Sequence, residues 1–302
     1  MIGSFLTSLF FAGNAVCARR AALHYGATRA NLLRLVLAAV LLGAWAHLLG
    51  QGLSGGAAGW FFLSGALGFG IGGLAMVHAL QRLGSNLSML IVQCGSAVAA
   101  AAAEWAWLGT RLTPVQLALA TLTLVGVSLG LAAPPLRPAP ASGRPAQSLV
   151  PGVLLAVLSA VTQGLGAVLS RKAFAIVRHG GVVLDATTSA YQRTLGGLAV
   201  GIAAVAAFEL LSRVPPERAP RDGQPGWPWA VANTLLGPVL GVTCYQWALR
   251  TTPAGIVLPI VATAPLLTLP LARRLEPGRL TARFVAGALI AVAGAAGLAL
   301  SR

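Results

Sequence analysis

Polar and ionisable side chains interrupt the apolar stretches of this sequence, and they are the residues that could do chemistry. A charged group at the centre of a bilayer costs roughly 2.5–3.5 kcal/mol on insertion scales, so such a residue within an apolar stretch is a functional candidate. Amides, an imidazole, guanidinium groups and aromatic rings suit the binding of a small solute. We predict a substrate-binding set made of Asn14, Arg34, His78, Gln93, Tyr191, Arg193, Tyr245, Gln246 and Trp247.

Catalytic and metal chemistry are not indicated. The sequence has no Gly-x-Ser-x-Gly elbow and no phosphate-binding loop, and its four histidines are too scattered for metal-ligand spacing. The glycine-rich run GFGIGG (68–73) lies in an apolar helical stretch without a preceding strand, so it is not a dinucleotide fingerprint. We therefore predict no enzyme activity, no catalytic residues, no metal site and no cofactor.

The charges within apolar stretches bear on the substrate. Glu104 is the only carboxylate well inside such a stretch. It lies near the end of that stretch, so a capping or interfacial role is an alternative to a functional one. Arg34 and Arg193 lie within about a turn of the start of their stretches, so their side chains could reach the lipid headgroups or line a cavity mouth. A desolvated organic cation needs a carboxylate partner, and none is available at mid-membrane. We predict neutral, zwitterionic or anionic substrates, with amino-acid-like compounds leading, although Tyr245 and Trp247 leave cation binding by aromatic rings as an alternative.

The overall composition explains why these polar groups stand out. The chain has 302 residues, of which 57% are hydrophobic and 9% charged, whereas a soluble protein carries about a quarter charged residues. The formal net charge of +15 comes without basic clusters interleaved with aromatics, so anionic lipid headgroups explain it better than nucleic acid. The sequence predicts an all-α integral membrane protein.

Ten membrane helices are expected from apolar runs of about 20 residues. They span residues 2–22, 30–49, 58–81, 85–107, 113–132, 149–174, 184–211, 227–249, 254–275 and 281–300. The proline-rich run 133–148 is predicted to be a linker, and it separates a first unit (1–132) from a second (149–302) with five helices each. The polar run 212–226 is predicted to be a loop.

The two units resemble each other in sequence. GFGIGGLAMVHAL (68–80) matches GPVLGVTCYQWAL (237–249), and AVCARRA (15–21) matches AVLSRKA (167–173). The next helix carries one arginine in each unit, Arg34 and Arg193. Because each unit has an odd number of helices, the second must enter the membrane from the opposite side, which predicts two inverted five-helix repeats.

The order of several motifs resembles a known family. The first unit offers FAGNAV with Asn14, then Arg34, VHALQRLGSNLSMLI (77–91) and LGTRLTPVQ (108–116); the second offers Arg193, YQWALRTTPAGIVLPI (245–260) and LEPGRLT (275–281). This layout resembles the drug/metabolite transporter superfamily, in particular the ten-helix EamA-type transporters. It departs from the family pattern at Thr110, where the family usually has glutamate. The resemblance implies a transporter with both termini in the cytoplasm, whereas the distribution of arginines between the two sides would place the N-terminus outside.

The expected function is a secondary transporter of small metabolites that works by alternating access. We expect it to export neutral, zwitterionic or anionic amino-acid-like compounds from the cell across an inner or plasma membrane. The alternatives are a non-transporting membrane scaffold or assembly protein and an exporter of cationic drugs. The expected partners are a small-molecule substrate and the lipid bilayer, without nucleic acid, and the sequence is compatible with a monomer. Helices three, four, eight and nine are predicted to line the path, with His78, Gln93, Tyr245, Gln246 and Trp247 in its walls.

Overall fold

The computed structural model describes residues 1–83, 85–131, 149–211, 225–272 and 282–301, and all regular elements in these ranges are helical. Ten helical segments, α1 to α10, follow one another along this part of the chain. They are α1 (Ile2–Tyr25), α2 (Ala27–Leu48), α3 (Ala58–Gly65, Ala66–Ile71 and Gly72–Leu83), α4 (Ser85–Leu108), α5 (Pro114–Leu131), α6 (Leu149–His179), α7 (Ala186–Leu211), α8 (Trp227–Thr234, Leu235–Gly241 and Val242–Thr251), α9 (Ala254–Val261 and Ala264–Ala272) and α10 (Ala282–Leu300).

These segments correspond one to one with the ten predicted helices, and the largest differences in length are at α1 and α6, which extend to Tyr25 and His179. The predicted linker 133–148 and the motif 275–281 lie outside the described residues, as does the predicted loop 212–226 except for its last two residues. The division into two units stays a prediction.

Six helical stretches of the described chain are long and apolar enough to cross a membrane. They are Arg29–Leu48, Ala58–Leu80, Leu87–Leu108, Pro114–Leu131, Leu149–His179 and Ala282–Leu300. The apolar stretch Ala254–Thr268 of α9 is shorter. A helix suits such sequences because it satisfies all backbone hydrogen bonds internally, which a lipid environment requires.

Helices α3 and α8 share an unusual feature, a π-helical piece in the middle. The two pieces, Ala66–Ile71 and Leu235–Gly241, begin at positions that are aligned in the matched sequences. Pro238 lies within the second piece and has no backbone N–H to donate. π-Helical turns are rare and frequently lie at functional sites, which makes α3 and α8 candidates for carrying functional residues.

Several connections are set by glycine and proline. Gly26 joins α1 to α2 directly with φ 77°, a left-handed conformation that glycine adopts without strain. Pro253 precedes α9 with extended backbone angles and separates it from α8. Helix α9 is itself interrupted at Ala262 and Thr263.

Small residues bring helices of the two units into close contact. On α5 and α10, Gly126 and Gly287 face each other so closely that a Cβ on either would overlap the backbone of the other helix. Gly196 of α7 approaches the backbone of α3 in the same way. Glycine at helix crossings lets backbones approach and gain van der Waals contact, which is the main packing force in lipid.

The largest buried apolar cluster lies where α3, α4, α6, α8 and α9 meet. It includes Phe61, Phe174, Tyr245 and Val257, with the rings of Phe61 and Phe174 in edge contact at 4.9 Å between centroids. Exposed leucines, for example Leu48, Leu154 and Leu289, cover the outside. An apolar outer surface around a buried, partly polar centre is the arrangement that a bilayer requires.

Candidate substrate site

The guanidinium of Arg193 lies at the centre of the most polar part of the interior. Arg193 is on α7 and is only 3% exposed. Its Cζ lies over the ring of Phe69 at 4.6 Å and over the ring of Tyr245 at 5.4 Å, both measured to the ring centroid. The cation is thus placed between aromatic rings of α3 and α8, each of which attracts it electrostatically.

Glycines create the space that this guanidinium occupies. A Cβ on Gly68 would lie 2.8 Å from Nη2 of Arg193, and a Cβ on Gly166 would lie 3.4 Å from the same atom. Gly65 also faces Arg193, in this case at the backbone. The glycine-rich run around Gly68 therefore has a steric function, since larger residues there would displace the arginine.

A chain of hydrogen bonds leads away from Arg193. Its Nη1 donates to Oγ of Ser170 at 3.2 Å, and Oγ of Ser170 lies 2.9 Å from Oγ of Ser64. Ser64 donates its only proton to the carbonyl oxygen of Gly166 at 2.5 Å, so Ser170 is the donor between the two serines. The chain links α7 and α6 to α3 and joins the two units. Nε of Arg193 is buried without a hydrogen-bond partner.

An ion pair lies beside this site. Oε1 of Glu104 on α4 accepts a hydrogen bond from Nε of Arg171 on α6 at 3.0 Å, and the two side chains are 2% and 15% exposed. Oε2 of Glu104 accepts from the backbone N–H groups of Ala254 at 2.6 Å and Gly255 at 3.2 Å. The carboxylate therefore also caps the start of α9, as a negative charge at a helix N-terminus does. The capping role expected as one alternative for Glu104 is present.

Arg171 completes this network at the end of α8. Its Nη1 donates to the carbonyl oxygen of Leu249 at 3.0 Å, near the C-terminus of that helix. We call Glu104, Arg171, the end of α8 and the start of α9 the closing network. It connects α4 of the first unit with three elements of the second.

The other predicted arginine has different surroundings. Nη2 of Arg34 donates to Oδ1 of Asn31, one turn earlier on α2, at 2.6 Å, and its Nε is buried without a partner. Asn31 lines a small cavity of about 20 Å³ between α2, α3 and α7, together with Gly73, His78 and Gly201. His78 is exposed, and it is not part of the Arg193 site.

Two further predicted residues have amide groups with buried atoms that lack hydrogen-bond partners. Asn14 on α1 packs against Gly237 of the π-helical piece of α8, and its Oδ1 has no partner. Gln246 follows Tyr245 on α8, is completely buried, and both atoms of its side-chain amide lack partners. Buried polar groups are normally satisfied, so each of these is a candidate contact for water or solute.

The remaining predicted residues are more peripheral. Tyr191 on α7 has its hydroxyl 3.4 Å from Nε2 of His47, with the rings in edge contact at 5.4 Å. Gln93 on α4 is half-buried. Trp247 is 40% exposed and lines an open depression on the outer surface with Met1 and Ile2. The structure thus brings Arg193 and Tyr245 together, whereas His78 and Trp247 are exposed. Tyr191 packs against the same apolar cluster as Phe69.

The predicted set did not include the residues that support Arg193. Ser170 and Phe69 contact the guanidinium, Ser64 bonds to Ser170, and Arg171 pairs with Glu104. Ser170 and Arg171 both lie in the repeated run AVLSRKA, so their position in a repeat was a usable signal.

Comparison with known proteins agrees with this architecture. The sequence profile described as "EamA-like transporter family" matches residues 1–131 and 150–300. A solved structure described as "Crystal structure of protein" aligns with a TM-score of 0.75 and 18% sequence identity, covering 99% of this chain and 96% of its own, and thereby supports the fold. The comparison with curated proteins found no significant match.

The two matched ranges together include nearly all of the described helices, and apolar spans accompany them. These findings indicate a multi-pass membrane protein with transmembrane helices. The chain belongs to the EamA-like transporter family, within the drug/metabolite transporter superfamily, and is a membrane transporter.

Proposed function

We propose that this protein is a secondary transporter that moves small metabolites across the cell membrane by alternating access. Its two five-helix repeats, residues 1–132 and 149–302, have inverted topology and rock against each other. It exports neutral, zwitterionic or anionic compounds resembling amino acids.

The observation that carries this proposal is the reciprocal packing of the two π-helical pieces. The piece Ala66–Ile71 of the first unit packs on α6 and α7 of the second, and Leu235–Gly241 of the second packs on α1 and α2 of the first. Exchange of equivalent contacts is what a twofold relation between repeats produces. Irregular helices at the interface between inverted repeats commonly line a transport path.

Contacts near the helix ends support the same relation. Gly3, near the start of α1, lies against Cys244 and Ala248 of the last part of α8. Gly152, near the start of α6, lies against Arg82 and Leu83 at the end of α3. The first helix of each unit thus begins beside the end of the third helix of the other unit.

The charges around the path favour substrates other than cations. Of the carboxylates in the described residues, Glu104 is paired with Arg171 and Asp185 accepts backbone N–H groups at the start of α7. The ring of Tyr245, which could otherwise hold a cation, already faces Arg193. A cationic drug in this position would meet a like charge without a counter-ion, which costs free energy.

The proposal is tested by labelling single cysteines from the water phase. Cys17, Cys94 and Cys244 are replaced by alanine, and one cysteine is introduced at His78 or at Thr252, which is buried beside the closing network. An impermeant thiol reagent should label one of the two positions strongly and the other weakly. A transported solute should raise labelling at one position and lower it at the other.

A cysteine at Gly181, in the turn after α6, serves as control because its labelling should not depend on solute. In parallel, the counterflow of labelled amino acids is measured with the protein in proteoliposomes. Labelling that changes in the same direction at both sites, or that never responds to any solute exchanged in counterflow, would contradict alternating access.

A further inference from the structure

The surroundings of Arg193 point to a ligand that this chain does not itself supply. The guanidinium is buried between two aromatic rings, and within the described residues it forms no salt bridge with a carboxylate. Its side-chain hydrogen-bond partners, Ser170 and Tyr245, are neutral, and Nε has no partner. A buried charge without a counter-charge destabilises a protein, so retention of this arginine calls for a compensating function.

If Arg193 had only a structural role, we would expect similar surroundings for Arg34, the corresponding arginine of the other repeat. The surroundings of the two arginines differ. The alignment of the repeats gives counterparts for the residues around Arg193. Gly237 keeps the glycine of Gly68, but four other counterparts differ in the relevant property: Asn14 for Gly166, Ala18 for Ser170, Pro238 for Phe69 and Met76 for Tyr245. The two rings and the hydroxyl are therefore absent from the aligned positions, and Arg34 bonds to Asn31 on its own helix.

The geometry of the site determines which ligand fits. The rings of Phe69 and Tyr245 lie 4.6 and 5.4 Å from Cζ, so a ligand must approach the guanidinium from a side that they leave open. Nη1 donates to Ser170, and Nε is buried without a partner. A carboxylate oxygen would accept a short, charge-assisted hydrogen bond from this N–H group.

We propose that Arg193 binds the carboxylate of the transported solute through its unpartnered Nε, and that Arg34 has no equivalent role. The rings of Phe69 and Tyr245 lie beside the guanidinium, and Ser170 accepts a hydrogen bond from its Nη1. This rests on the proposed transport function and names the substrate group that it recognises. Because Arg193 is 3% exposed, a solute reaches it only after the two units have moved apart.

Transport by the full-length protein in proteoliposomes tests the site. Labelled amino acids are compared with their methyl esters, which lack the carboxylate. Arg193→Gln should raise the KM for the acid by at least about tenfold and leave the KM for the ester nearly unchanged, because hydrogen bonds to a charged group are lost. Arg34→Gln is the matched control and should retain the preference for the acid. An unchanged ratio of acid to ester in Arg193→Gln overturns the assignment.

Binding without transport provides a second test, which separates the failure of this site from the failure of the transport function. Acetate, benzoate and phosphate are added to the detergent-solubilised protein, and the melting temperature is measured. Acetate and benzoate should raise the melting temperature of the wild type and of Arg34→Gln but not that of Arg193→Gln. A rise with phosphate alone would mean that the site binds a different oxyanion, and it would refute the proposal.

A wild-type melting temperature that responds to none of these anions also refutes the proposal, even if amino acids are transported. Conversely, a carboxylate response that depends on Arg193, without transport of any amino acid, would uphold the site and refute the proposed substrate class. Should Arg193→Gln fail to fold, Arg193→Lys keeps the charge without the planar fork, and it should lose the stabilisation by carboxylates. Retention of the full wild-type response by the lysine variant would contradict binding through Nε of the guanidinium.

Discussion

Replacing Glu104 by glutamine removes the negative charge from the closing network while keeping the shape of the side chain. In the wild type one carboxylate oxygen accepts from Nε of Arg171 at 3.0 Å, and the other accepts from N–H groups at the start of α9, the nearer at 2.6 Å. A glutamine has only one acceptor oxygen. If that oxygen caps α9, the amide N–H₂ group faces Nε of Arg171, and two donors oppose each other.

The expected size of the effect follows from burial. Glu104 is 2% exposed and Arg171 is 15% exposed, so the pair is largely shielded from water. Removing one partner of a buried ion pair costs about 3–5 kcal/mol, and the partial exposure of Arg171 favours the lower limit. A loss of about 3 kcal/mol in the free energy of unfolding should lower the melting temperature by roughly 6–12 °C, if the relation for domains of 150–250 residues is applied.

The assay is thermal unfolding of the detergent-solubilised protein, followed by tryptophan fluorescence, for Glu104→Gln, Arg171→Gln and the double variant. The double variant should be destabilised less than the sum of the two single variants by at least about 1 kcal/mol, because the partners act together. Lys172→Gln removes a positive charge from the adjacent position of α6 and serves as control. Additive effects, or a melting temperature of Glu104→Gln equal to that of this control, would refute the reasoning.

Three other predictions concern packing, capping and the site. Gly196→Ala should destabilise the protein by about 1–3 kcal/mol, since its Cβ would overlap a carbonyl oxygen of α3, whereas Gly59→Ala, which faces open space, should be neutral in the same melting assay. Asp185→Ala should cost about 1 kcal/mol, measured as a lower melting temperature, because its carboxylate accepts two backbone N–H groups at the start of α7. Tyr245→Ala should reduce transport by about tenfold through loss of the ring beside Arg193, while exposed Trp247→Ala should leave counterflow unchanged; equal losses in both would place the path elsewhere.

The helices could be predicted from the sequence because lipid imposes one solution on long apolar runs. The starts of α3, α6, α8 and α9 agree with the expected residues 58, 149, 227 and 254. Local chemistry accounts for this agreement, since Trp227 and Pro228 open α8 and Pro253 precedes α9. The π-helical pieces were not predicted, because periodicity alone does not distinguish one wide turn from a regular helix.

The site was predictable only in part. Arg193 and Tyr245 were recognised from residue type and position, and the structure places them together. Their partners Ser64 and Phe69 belong to the other unit, and no pattern within one helix indicates which face of it meets α7. Trp247 is predicted to line the path, but it is exposed. Adjacent residues of a helix point in directions about 100° apart, and only the packing of the helix decides which of them is internal.

The closing network has a counterpart position in the other repeat, and the chemistry there is reversed. With Ser96 aligned to Pro265, Glu104 corresponds in sequence to Arg273, which lies outside the described residues, and Arg171 corresponds to Arg19, so the aligned positions hold two cations. A pair of a carboxylate and a guanidinium therefore cannot recur at these positions. Under the proposed alternating-access mechanism, the two repeats would contribute unequally to the free energies of the two end states. The ratio of the two populations would change by a factor of about ten for each 1.4 kcal/mol of this difference.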